Sequence, residues 1–131
     1  MKIKIGDKVC LEKSFSLMEV KEFAKLSGDI NPVHLDADFA SKTLFKKPIV
    51  HGFLYGSIIS AILANQLPGP GSIYLNQEMN FIAPLYHDEV VRIEVEVINI
   101  KPEKSIYYLS TKGYKNQDEL ILDGKAIIKL I

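Results

Sequence analysis

In the stretch LSGDINPVHL (26–35), Asp29 and His34 are separated only by Ile30, Asn31, Pro32 and Val33. A carboxylate and an imidazole are the usual partners for moving protons near neutral pH. Pro32 fixes its own φ and biases Asn31 towards an extended backbone, so the link between the two groups is stiff. Stiffness matters because a small displacement of an acid–base pair is costly in rate. Both side chains can address one water molecule, the carboxylate accepting a proton while the imidazole orients or donates. Asn31 can hold either partner with its amide, or simply close an Asx turn. Solvation or capping would account for each residue singly, and spacing alone does not choose.

A second group follows at Val50-His51-Gly52, just before a strongly apolar segment. A glycine in the first turn of a helix presents a free backbone N–H, reinforced by the helix dipole. Such a donor suits an enolate-like or tetrahedral oxyanion. Close packing would equally explain Gly52. His51 is expected to bond backbone at the same helix start and is given no catalytic role. Ser60, on the apolar helix, is expected to be buried and to bond the carbonyl one turn back. No metal is expected. Asp29, Asn31, Asp36 and Asp38 superficially suggest a calcium loop, but His34 and Ala40 stand where its Gly and Glu belong. His34, His51 and His87 lack zinc spacing, and Cys10 is the only cysteine.

The elements that must position these residues can be read from periodicity. Ser16 and Glu19 have capping-box spacing. Leu17, Val20, Phe23, Ala24 and Leu26 then share a helical face, and Gly28 sits where a left-handed C-terminal cap belongs. The Asp29–His34 segment therefore begins just beyond a well-terminated helix. Asp36 is placed to cap a short second helix, ADFASKTLF. The apolar helix spans roughly 53–66 and ends at PGPG. After it the period changes to two. Ile73, Leu75, Gln77, Met79 and Phe81 read as one strand face, and Val91, Ile93, Val95 and Val97 as another. Two further strands, 106–114 and 120–131, flank the turn KNQDE, giving four strands in a meander after one short N-terminal strand. A helix apolar nearly all round must be covered on most sides. A curved antiparallel sheet wrapped about it meets that need, which predicts an α+β hotdog fold.

The bulk composition agrees. A chain of 131 residues with 47% hydrophobic content supports a single domain, 1–131, with a real core. Zero formal charge offers nothing to nucleic acid or an anionic membrane. The longest apolar stretch falls short of the roughly 20 residues a bilayer needs. The N-terminus lacks a signal-peptide pattern, and a lone cysteine suits a reducing cytoplasm.

FAKLSGDINPVHLDADFA followed by PIVHGFLYGSIISAIL closely resembles the (R)-specific enoyl-CoA hydratases of the MaoC-like hydratase 2 family. LPGPGSIYLNQEMNFIAPLYHDEV is similar to that family's first long strand and its turn, and the likeness runs from about residue 6 to the C-terminus. The resemblance implies reversible hydration of a short-chain trans-2-enoyl-CoA to the (R)-3-hydroxyacyl-CoA, without a cofactor. It implies Asp29 as general base, His34 as partner acid, and Gly52 N–H on the thioester carbonyl. Ser60 would sit beside the pair, Asn31 would brace the loop, and Leu63 would limit acyl length. It also implies a homodimer or a dimer of dimers. A hotdog thioesterase is the nearest alternative, but such enzymes commonly place a carboxylate on or beside the central helix, and 53–67 has none. A non-catalytic acyl-CoA-binding subunit is the other.

Overall fold

The computed structural model describes residues 2–131. Strand β1 (Lys8–Lys13) leads into helix α1 (Leu17–Ser27). Ser16 Oγ accepts the Glu19 N–H at 3.2 Å, and Glu19 Oε1 accepts the Ser16 N–H at 3.0 Å, closing the capping box. Gly28 ends α1 at φ 84°, its N–H donating to the Ala24 carbonyl at 2.9 Å. Only Val20 and Ala24 are fully buried on this helix, while Leu17 is 41% and Leu26 87% exposed, so the expected apolar face holds only in the middle of α1.

The second half of the stiff link read between Asp29 and His34 is itself a helical turn, α2 (Pro32–Leu35). Proline at the first helical position has no N–H to strand there, and its φ is already helical. Asp36 then caps α3, accepting the N–H groups of Asp38 and Phe39, but α3 (Ala37–Ser41) is shorter than the expected helix. Helix α4 (Gly52–Asn65) is the apolar one.

Four strands follow: β2 (Ser72–Phe81), β3 (Val91–Lys101), β4 (Ile106–Lys115) and β5 (Glu119–Leu130). All neighbours are antiparallel in the order β1-β3-β4-β5-β2. The meander therefore covers β3 to β5 only. Strand β2 pairs with β5 at the far edge, so residues 82–90 cross the sheet to reach β3. The expected β2 face also fails. A bulge between Tyr74 and Asn76 inserts Leu75 and reverses the alternation. Ile73 lies opposite Lys129, whereas Gln77 and Met79 lie opposite the buried Ala126 and Gly124. Sequence parity cannot reveal such a slip, because one extra residue flips every later side chain.

The core lies between the sheet and α4. Tyr55, Ile58, Ile59 and Ile62 pack with Val91, Ile93, Val95 and Val97 of β3, and with Leu109, Ile121, Leu122 and Ile128. Coverage of α4 is incomplete: Phe53, Ser57, Ser60, Ala61 and Ala64 remain exposed. Ile59 has no exposed surface. Ile59→Ala should cost about 2–5 kcal/mol through lost transfer energy and the cavity left behind. Urea unfolding should show a lower midpoint at unchanged slope; an unchanged midpoint would contradict this packing.

Candidate active site

Asp29 stands exposed in the turn between α1 and α2. Its N–H donates to Ser27 Oγ at 3.1 Å, and its Oδ1 accepts the Asn31 N–H at 3.3 Å. Asn31 Oδ1 in turn accepts the Val33 N–H at 3.2 Å, capping α2. Both side chains thus shape the turn, and Asn31 does so through its oxygen.

His34 projects from α2 and is 8% exposed. Its Nδ1 lies 2.8 Å from the Ile49 carbonyl. A carbonyl only accepts, so Nδ1 carries the proton and Nε2 is left as the working nitrogen. Burial lowers the His34 pKa; the bond to Ile49 and the nearby Asp29 carboxylate oppose that, while His51 adds to it. A neutral ring with a lone pair on Nε2 is therefore the resting state near pH 7.

His51 is the N-cap of α4 and is 2% exposed. Its Nε2 lies 3.0 Å from the Asp29 carbonyl, so that nitrogen is protonated. Its ring stacks on His34 with centroids 3.8 Å apart, and meets the edge of Phe23 at 4.8 Å. The segments 29–35 and 49–52 are consequently sewn together in both directions. His34 reaches across to Ile49, His51 reaches back to Asp29, and the Ile49 N–H donates to the Val33 carbonyl at 3.1 Å. His87, from the 82–90 crossing, packs against His34, and burial lowers its pKa too. All three histidines of the chain thus converge here.

A carboxylate oxygen of Asp29 and ring nitrogens of His34 and His51 lie within 4.8 Å of one another. Two hydrogen bonds meeting at one water span roughly 4–5 Å, so this separation fits a water shared by two acceptors. The same set suits a metal poorly. The two rings are stacked 3.8 Å apart with only 23° between their planes, so their lone pairs lie in separate, nearly parallel planes. Zinc would need both nitrogens to converge at roughly 2.0–2.1 Å.

Gly52 is the first residue of α4, where its N–H precedes the intrahelical ladder. A Cβ there would come within 2.5 Å of Phe81 Cε1, so the packing explanation for this glycine also holds. Asp29, His34, His51 and Gly52 all line one cleft of about 580 Å³, walled by Phe45, Phe53, Tyr55, Phe81 and Leu85 among others. Tyr55 sits one turn along α4 from Gly52, its ring edge-on to Phe81 at 6.1 Å. Burial pushes its phenol up to about 12, so it stays protonated.

Two expected site residues lie elsewhere. Leu63 is 2% exposed and packed in the core, on the sheet side of α4, and lines neither cleft beside this helix. Ser60 is exposed rather than buried and lines a second cleft, of about 510 Å³, with Phe23, Gly56 and Met79. The back-bond expected of Ser60 is made instead by Ser57, to the Leu54 carbonyl. Phe53 lines both clefts. Sequence reasoning missed Tyr55 and the part played by His51. Tyr55 carried a readable signal, since it follows Gly52 at helical spacing on the same helix. The reach of His51 to Asp29 carried none.

Burial of an imidazole favours its neutral form. His34 should therefore titrate below the ordinary 6.5, as ring NMR shifts against pH would record. The unfolded chain then binds more protons as pH falls through 6.5, so folding stability is lost through that window and is intact above it. A midpoint at or above 6.5 would contradict the buried setting.

Residues 3–117 match the model of the MaoC like domain. The chain is 44% identical to an (R)-specific enoyl-CoA hydratase of Aeromonas caviae, covering 98% of this chain and 96% of that one. It is 38% identical to a 3-hydroxybutyryl-CoA dehydratase of Methylorubrum extorquens, over 98% of this chain and 81% of that one. Its fold superposes on the solved structure of an (R)-hydratase from A. caviae involved in PHA biosynthesis, with a TM-score of 0.95 at 43% identity and 98% coverage of each chain. With a family match over most of its length and a hotdog sheet and helix in place, this chain belongs to the MaoC-like family.

Proposed function

We propose that the protein is an (R)-specific enoyl-CoA hydratase, a hydro-lyase that adds water reversibly to short-chain trans-2-enoyl-CoA without metal or redox cofactor. The observation that carries this reading is the juxtaposition of Asp29 carboxylate, His34 ring nitrogen and the start of α4 in one cleft. The (R) outcome and the CoA ester draw on the likeness to the hydratase and dehydratase named above.

A β-carbon conjugated to a thioester becomes electrophilic when negative charge on the carbonyl oxygen is stabilised. The Gly52 N–H, at the positive end of α4, supplies that stabilisation. A single water gives one of its hydrogens to the Asp29 carboxylate and the other to His34 Nε2. As the water oxygen joins the β-carbon, the alkene electrons shift onto the thioester oxygen and one water proton passes to the pair. The α-carbon then takes that proton as the enolate collapses, leaving both residues as they began. Because His34 starts neutral, its work as an acid follows its uptake of a proton. Tyr55, rather than Leu63, supplies the bulk that limits acyl length.

The chain acts as a homodimer or a dimer of dimers in this reading. Strand β2 is an edge, and Ile73, Tyr74, Leu75 and Phe81 on it are all at least 40% exposed beside the open face of α4. An uncovered strand edge with apolar side chains is a template for a second strand. Sedimentation should give twice the 14.7 kDa chain mass or a higher even multiple; a monomer at micromolar concentration would refute the assembly. Among the described residues no helix is long and apolar enough to cross a membrane; a cytoplasmic location is part of the proposed reading.

Crotonyl-CoA should lose its enoyl absorbance on mixing with the protein, and an (R)-specific dehydrogenase should then oxidise the product. Asp29→Asn should slow this by roughly 10²–10⁴-fold, the usual share of general acid–base catalysis. Eight-carbon enoyl-CoA should be a poor substrate that Tyr55→Ala improves relative to crotonyl-CoA. Release of free CoA instead would favour a thioesterase, and binding without turnover a non-catalytic subunit.

A further inference from the structure

His51 is buried, yet it takes no part in the chemistry just described, and its Nδ1 meets no hydrogen-bond partner among the described residues. An unpartnered buried nitrogen is costly, so the ring must be held there for what its other contacts do. Those contacts fall on both members of the reacting pair. Nε2–H donates to the Asp29 carbonyl at 3.0 Å, fixing the turn that carries the carboxylate. The ring face lies on His34 at 3.8 Å with 23° between planes, fixing the plane in which His34 Nε2 points. Phe23 closes the third side edge-on.

We propose that His51 is the positioning residue of this site, setting Asp29 through its backbone and His34 through its ring so that both acceptors meet one water. The kinetic arm of its test rests on the hydratase reading; the spectroscopic arm does not. The titratable groups facing His34 are Asp29 from the turn, His51 from the start of α4 and His87 from the crossing.

Two substitutions separate the contacts. His51→Phe keeps a ring on His34 and loses the donor to Asp29. His51→Gln keeps a donor and loses the ring. Each should lower kcat for crotonyl-CoA by roughly 10–100-fold, the scale of an ångström-sized misplacement, while KM changes little. Each should also raise the NMR titration midpoint of His34, because a neighbouring ionisable ring is gone. A folded variant with wild-type kcat, a rise in KM alone, or an unmoved His34 midpoint overturns the proposal. If neither variant folds, ¹⁵N imidazole NMR of the wild-type chain decides. Protonated Nε2 in His51 with protonated Nδ1 in His34 supports the proposal, and the opposite tautomer in either ring overturns it. Should the wild type leave crotonyl-CoA untouched, the hydratase reading falls while the tautomer and titration results still judge His51.

Discussion

Two hydrogen bonds running in opposite directions hold the site together. His34, on the first short helix turn, donates to the carbonyl of Ile49; His51, at the start of α4, donates to the carbonyl of Asp29. Each bond fixes a tautomer as well as a position, because a carbonyl leaves the facing nitrogen no option but to carry the proton. The pair ties a short, exposed turn to the most deeply packed helix of the molecule. A carboxylate in a turn would otherwise wander on the scale that proton transfer does not tolerate. Here it is anchored by its own backbone to the start of a helix whose Tyr55, Ile58, Ile59, Ile62 and Leu63 are in the core.

The fold supplies that anchor by an ordinary route. The sheet covers one side of α4, and the rigidity of the helix comes from Ile58, Ile59 and Ile62 set against β3 and its neighbours. Its first turn, by contrast, opens on the cleft, where Gly52 leaves room for Phe81 and presents an N–H beyond the helical ladder. One helix thereby contributes a packed shaft and a polar tip, and the residues that precede the tip close the site. The crossing from β2 to β3 adds Leu85 to the wall of the cleft and His87 beside His34.

Much of this was legible in the sequence where the signal is local. Ser16, Glu19 and Gly28 announce the ends of α1 because capping depends on residues a few positions apart. The alternation of β3 is equally plain, as Val91, Ile93, Val95 and Val97 are all buried. Asp29 and His34 could be paired because Pro32 restricts everything between them. What stayed hidden depends on contacts distant in the chain. The bulge at Leu75 is a property of pairing with β5, and the sheet order of where the crossing goes. Leu63 and Ser60 differ by less than one helical turn, yet one faces the core and the other solvent. His51 looked like a backbone-bonding residue and is one; only the identity of its partner makes it part of the site.

The central claim is that Asp29 and His34 Nε2 share one water beside a thioester carbonyl held on the Gly52 N–H. A high-resolution crystal structure with butyryl-CoA, the saturated and unreactive counterpart of crotonyl-CoA, tests it directly. The account predicts the thioester oxygen on Gly52 and a single ordered water bonded to both side chains and facing the β-carbon. A thioester seated away from this cleft, or a water bonded to neither residue, would contradict it.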